Sequence, residues 1–275
     1  MTVISERDVP FEDTSIHLYE GGSGFPICLF HGSGTGAATL SNFRAILEPL
    51  AAGFRVIAAD LVGYGKSGLK PAEPYFDMAM WGRQVAHVAG LAGAPRVGLI
   101  GHSLSGALVL KAAAALPGVA GVVTTGTMGV AAPRRHGSRG WVFPETRDQL
   151  MAQVRNTVVD PTLIDDAELD RRRAVLERPG YRDYFMRMYD GQQESFIGAS
   201  AVTPDELAAI RCPALLFHGE QDRSFAPEAT SIPLARGMAR ADVVLLAGCA
   251  HSVALERADT FLDLVIPFFR RCAAA

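Results

Sequence analysis

Short apolar runs alternate with helical patterns along most of the 275-residue chain, and this alternation narrows the fold more than any other feature. The runs at 16–19, 27–30, 55–59, 97–100, 119–125, 214–217 and 243–246 are rich in Val, Ile, Leu and Phe and are bounded by Gly, Pro or Asp. Near-continuous apolar strands are what a sheet covered on both faces requires. Between them, 40–51, 78–91, 104–116, 228–238 and 258–271 carry helical spacing. Strand and helix in alternation predict an open, mostly parallel α/β sheet with helices on both faces. Functional loops are then expected beyond the carboxyl ends of the strands.

The alternation stops after Gly126 and resumes near Cys212. Segment 133–203 mixes Arg, Asp and Glu with Leu, Met, Phe and Tyr, and shows helical spacing at 166–176 and 181–189. This predicts a helical lid, 133–203, inserted into a core formed by 1–132 and 204–275, with the Arg- and Gly-rich stretch 133–140 as a mobile hinge. A hydrophobic content of 49% fills such a core. A net charge of -3 gives no electrostatic reason to bind nucleic acid or an anionic membrane, so the expected partner is a small-molecule substrate. Met1 to Pro10 lacks an apolar signal segment, and no stretch long enough to span a bilayer is free of charge or turn residues. A cytoplasmic protein with no membrane partner is expected. Cys28, Cys212, Cys249 and Cys272 lack C-x-x-C spacing and read as reduced, packed thiols. Without H-E-x-x-H or a Cys/His cluster, no metal is expected.

The chemistry is concentrated where Val97-Gly98-Leu99-Ile100 runs through Gly101-His102-Ser103-Leu104-Ser105-Gly106 into an Ala-rich helix. A serine held between a strand end and a helix start is exposed and strained, with helix N–H groups facing whatever it attacks. Ser105 stands where the G-x-S-x-G pattern has its last glycine. A serine nucleophile needs a base, and the base needs an acid to fix its tautomer. Asp222 lies on the loop after one buried run and His251 on the loop after the next, in the chain order Ser, Asp, His. Glu220, two residues earlier, is the alternative acid. His31, His102 and His218 sit at strand ends and read as loop-packing groups, while His17, His87 and His136 read as structural or exposed. An oxyanion needs two N–H donors. Leu104 N–H supplies one, and Ser33 N–H, in the loop His31-Gly32-Ser33-Gly34-Thr35-Gly36, is best placed for the other. A phosphate cradle in that loop is disfavoured because no Lys follows it, and Gly65-Lys66-Ser67 has Asp60 where a P-loop has its first Gly.

With these residues the chain resembles the α/β-hydrolase superfamily over nearly its whole length. Within it the likeness is to the meta-cleavage product hydrolases, which cut carbon-carbon bonds in ring-fission products of aromatic degradation. The first loop followed by Ser41-Asn42-Phe43 carries this likeness, as do Asp60-Leu61-Val62-Gly63-Tyr64-Gly65-Lys66-Ser67 and Asp160-Pro161-Thr162-Leu163-Ile164 leading to Arg171-Arg172-Arg173. So does His251 followed by Glu256-Arg257-Ala258-Asp259. The resemblance implies that Arg172 binds the dienoate end of the substrate from the lid, that Asn42 stands beside the oxyanion loop, and that copies associate into a homo-oligomer. The bland readings are a surface ion-pair cluster for Arg172, among Asp165, Asp166 and Asp170, and a helix cap or turn for Asn42. Where the family usually has Asn before the nucleophile and often Trp after the catalytic His, this chain has His102 and Ser252, which alter the pocket wall. The function implied is a cofactor-independent serine-type hydrolase acting on a vinylogous diketone acid. A carboxylesterase or lactonase is the alternative that His102 and Ser252 favour, and a non-catalytic ligand receptor on the same fold is the third reading.

Overall fold

A computed structural model describes residues 3–131, 141–189 and 193–275; the expected hinge at 133–140 and His136 lie outside them. Eight strands form one sheet in the order β1-β2-β4-β3-β5-β6-β7-β8. They are β1 (Ser5–Phe11), β2 (Thr14–Gly21), β3 (Pro26–Phe30), β4 (Arg55–Ala59), β5 (Val97–His102), β6 (Val119–Thr125), β7 (Ala214–Gly219) and β8 (Ala241–Leu246). β2 pairs antiparallel with β1 and β4, and every other pairing is parallel. Around the sheet lie α1 (Thr39–Phe43), α2 (Leu47–Ala51), α3 (Met78–Leu91), α4 (Leu104–Ala115), α10 (Ser231–Arg236), α11 (Val253–Glu256) and α12 (Ala258–Ala274). Between β6 and β7 the chain passes through α5 (Arg147–Arg155), α6 (Asp166–Leu176), α7 (Tyr181–Met188), α8 (Gln193–Ser200) and α9 (Pro204–Ala209).

Apart from edge strand β8 and Arg55 at the start of β4, the parallel strands are buried throughout, which explains their apolar sequences. Cys28, Phe30 and Leu99 pack with Trp81, Val85, Leu104 and Leu108 on one side. Ile27, Leu29 and Ile100 pack with Leu50, Phe261 and Phe269 on the other.

Three features differ from the sequence reading. β1 was not expected, because only Val9 and Phe11 of its seven residues are buried and its charges leave no apolar run. The helix expected over 40–51 is two helices, α1 and α2. Pro49 has no N–H to continue a helix begun at Thr39, but in the first turn of α2 that donor has no intrahelical acceptor to lose. The helix expected over 228–238 breaks for the same reason: a 3₁₀ turn at Pro227–Ala229 is followed by α10, with Pro233 in its first turn. No helix among the described residues is long and apolar enough to cross a membrane.

Candidate active site

β5 ends at His102, α4 begins at Leu104, and Ser103 between them has φ 54° and ψ -117°. A non-glycine residue at positive φ costs roughly 1–3 kcal/mol. Leu104, Leu108, Val109 and Leu110 of α4 are all at or below 1% exposed, and each such side chain contributes about 1.5–3 kcal/mol of burial, so packing of the helix outweighs the strain. Hydrogen bonds also pin the turn. Ser103 N donates to Thr125 O at 2.9 Å, and Ser103 O accepts from Gly106 N and Met128 N, each at 3.0 Å. Gly101 has no alternative, since a Cβ there would lie 2.2 Å from Ser105 O. Ser105, the departure from the motif, is fully buried and donates through Oγ to His31 O at 2.6 Å. It therefore ties α4 to the end of β3, where the glycine-rich loop begins.

Asp222 follows β7 and is fully buried. Its Oδ1 accepts from Ser224 N at 2.7 Å and Phe225 N at 3.1 Å, and its Oδ2 lies 2.7 Å from His251 Nδ1. Burial works to raise this carboxyl, but attraction to His251 and hydrogen bonds from His218 and His251 outweigh it and hold Asp222 well below the usual carboxylate range. An ionised Asp222 accepts the Nδ1 proton of His251 and so leaves Nε2 as the basic nitrogen. Glu220 is exposed, and Asp222 is the carboxylate that meets His251. His218 does more than pack the loop. Its Nε2 lies 3.1 Å from Asp222 Oδ2 and 3.3 Å from Phe225 O, two acceptors that place the ring proton on Nε2, while Nδ1 accepts from Ser231 Oγ at 2.6 Å. The signal for this role was its position four residues before Asp222, at the end of the same strand.

Ser103, His251, Ser33, Asn42, His102, Arg172 and Ser252 line one cavity of about 60 Å3. Trp141 and Phe225, which sequence reasoning did not single out, also line it. Asn42 is neither a cap nor a turn residue: it lies within α1, and its Oδ1 accepts from Gly32 N at 3.0 Å. That bond occupies the Gly32 donor and leaves Ser33 N as the next donor on the loop. Leu104 N is at the first position of α4, where a helix N–H has no intrahelical acceptor. Trp141 Nε1 donates to Ser33 Oγ at 3.0 Å.

His31 packs the loop, with Nε2 accepting from Leu61 N at 2.9 Å and Nδ1 donating to Gly32 O at 2.6 Å. Burial lowers its pKa, and the imidazole is neutral. His102 is both a packing group and a cavity wall. Nδ1 lies 2.9 Å from Thr125 Oγ1, and the ring is tilted against that of His251 with centroids 4.7 Å apart. Burial, then repulsion from His251, pushes its pKa well below the ordinary histidine value. Ser252 reaches the insertion, its N donating to Thr157 O and its Oγ to Thr157 Oγ1, both at 3.0 Å.

The three consecutive arginines of α6 separate. Arg173 is exposed and pairs with Asp170 and Glu177, which is the surface ion-pair arrangement. Arg172 is 7% exposed and lines the cavity, with Nη1 donating to Thr35 O at 2.8 Å and Nε to Glu168 Oε1 at 2.6 Å.

A strained serine on a strand-to-helix turn, a histidine oriented by a buried carboxylate, and a glycine-rich loop tied to the turn through Ser105 make a site for acyl-type chemistry. The family model "Alpha/beta hydrolase family" matches residues 28–264. The chain belongs to this family. This α/β hydrolase is 29% identical to the 2-hydroxymuconate semialdehyde hydrolase of Pseudomonas sp. strain CF600, over 98% of this chain and 95% of the relative. It is 30% identical to the 2-hydroxy-6-oxo-2,4-heptadienoate hydrolase of Pseudomonas putida F1, over 92% of this chain and 91% of that one. The solved 2-hydroxy-6-oxo-6-phenylhexa-2,4-dienoate hydrolase of Rhodococcus sp. strain RHA1 superposes with a TM-score of 0.89 at 26% identity, covering 98% of this chain and all of the other.

Proposed function

We propose that this hydrolase cleaves a carbon-carbon bond in a vinylogous diketone acid of the kind formed by meta ring fission of aromatic compounds, with Ser103, His251 and Asp222 as its triad. The observation that carries this reading is Arg172, a buried guanidinium lining the same cavity as Ser103 and His251. Hydrolysis of a neutral ester has no use for a cation there, whereas the carboxylate of a dienoate does. The names of the relatives support the same substrate class.

The chemistry follows from the placement of the groups. His251 Nε2 takes the proton of the substrate's enol and delivers it to the distal carbon, forming the ketone. Ser103 Oγ, or a water that it holds, then gives its proton to His251 and adds to the carbonyl, whose oxygen is held by the N–H groups of Ser33 and Leu104. The carbon-carbon bond breaks with its electron pair delocalised through the double bond into the second ketone. His251 returns the proton to that fragment, and the other leaves as a carboxylic acid, directly or after water hydrolyses an ester at Ser103. Asn42 steadies the loop, while His102 and Ser252 shape the wall. Segment 133–203 serves as the lid. Its described residues Trp141, Thr157 and Arg172 line the cavity above Ser103.

The second reading, a carboxylesterase or lactonase, is favoured by the His102 ring against His251. Parallel assays of a coloured ring-fission dienoate and a simple chromogenic ester separate the two. Ester turnover without dienoate decay sinks the first reading.

A further inference from the structure

Glu168 stands one turn before Arg172 on α6 and is a fully buried carboxylate. Its Oε1 takes Arg172 Nε at 2.6 Å, and its Oε2 takes Arg44 Nη1 at 3.0 Å and Arg171 Nη2 at 3.0 Å. Three guanidinium groups therefore share one carboxylate, with Asp165 also attracting Arg44, and Arg172 is the one of the three that lines the cavity. Arg44 comes from the core, immediately after α1, and its Nη2 also donates to Leu163 O in the insertion at 3.2 Å. Arg172 in turn donates through Nη1 to Thr35 O in the oxyanion loop. The seam is tight, since a Cβ on Gly36 would lie 2.8 Å from Arg172 O.

We propose that Glu168 is the positioning residue that sets the orientation of Arg172, and through it the preference of the site for substrates carrying an acid group. A guanidinium is a planar fork whose value to a carboxylate depends on how it is rotated about its long side chain. With Nε fixed by Glu168 and Nη1 by Thr35 O, Nη2 is the nitrogen without a hydrogen bond to any described residue. The ligand's carboxylate meets that nitrogen. Removing Glu168 frees the fork to turn toward other acceptors, and the acid group loses a fixed partner. The assignment rests on the acid-binding role proposed above for Arg172.

The test compares hexa-2,4-dienoate with the uncharged hexa-2,4-dienamide, by calorimetric titration of Ser103→Ala protein with and without Glu168→Gln. The account expects the ratio of acid to amide affinity to fall at least tenfold with Glu168→Gln. Arg172→Gln is expected to lower it as far, and the double variant to go no lower, because the two residues act as one unit. In the active enzyme, Glu168→Gln should raise KM for a ring-fission dienoate more than it lowers kcat. A merely structural role weakens acid and amide together and leaves their ratio unchanged, which overturns the proposal, as does parent protein that binds both equally. If Glu168→Gln does not fold, Glu168→Asp keeps the charge on a side chain one methylene shorter; it should lose at least threefold of the preference, and an unchanged ratio overturns the assignment. Absence of dienoate turnover in the wild type defeats the proposed reaction while the binding ratio still reports on Glu168.

Discussion

The two walls of the cavity are built by different means. On the core side, Ser103, Asp222 and His251 follow the ends of parallel strands; backbone groups hold Ser103 through Thr125 O and Asp222 through Ser224 N and Phe225 N, and Asp222 in turn holds His251. On the insertion side, Arg172 is held by a buried side-chain network that joins α6 to Arg44 and to Thr35 O, residues distant in the sequence. On the proposed function, the core wall is where bonds are made and broken, and the insertion wall selects the molecule placed there. Substitutions on the first should act on kcat, and those on the second on KM and selectivity.

The largest expected break is on the core side. Ser103→Ala should reduce kcat for the dienoate by about 10⁴–10⁶-fold, measured by single-turnover decay of substrate colour. Asp222→Asn should follow at about 10⁴-fold, because the amide cannot stabilise the His251 cation and favours the wrong tautomer. On the insertion side, Arg172→Gln loses a charge-assisted contact of about 1.5–3 kcal/mol, so KM should rise roughly 10- to 150-fold with a smaller fall in kcat. A larger effect on kcat than on KM would erase the distinction between the walls. Ser105→Ala leaves His31 O without its buried donor, and chemical denaturation should show a loss of about 1–3 kcal/mol.

The pH dependence is the gentlest test. Burial depresses the pKa of both His31 and His102 in the folded protein, so below the unfolded value of 6.5 the unfolded chain binds protons that the folded one does not. Their contribution is complete above pH 6.5 and is lost as pH falls toward the folded values, at up to about 1.4 kcal/mol per pH unit for each group. His102→Asn should flatten the stability profile in that window. An unchanged slope would mean that the cavity wall is protonated at little cost.

The same contrast decides what could be read from the chain. The parallel sheet, the elbow and the loops carrying Asp222 and His251 are written locally, as apolar runs ending in small or polar residues. Ser105 looked like a defect because its partner, His31 O, lies 74 residues away, and such a bond has no sequence signature. Nothing local in the sequence singles out Glu168, whose buried carboxylate is met by Arg44, 124 residues distant. β1 was hidden because edge strands carry polar residues and little apolar pattern. Only His218 left a readable trace, its spacing from Asp222.

The most direct measurement is the ratio of kcat/KM for a ring-fission dienoate to that for p-nitrophenyl acetate, taken on the same purified protein. The account predicts that the dienoate is favoured by at least about 100-fold, which corresponds to the contribution of a fixed, buried cation to an acid substrate. An ester favoured over the dienoate would contradict it.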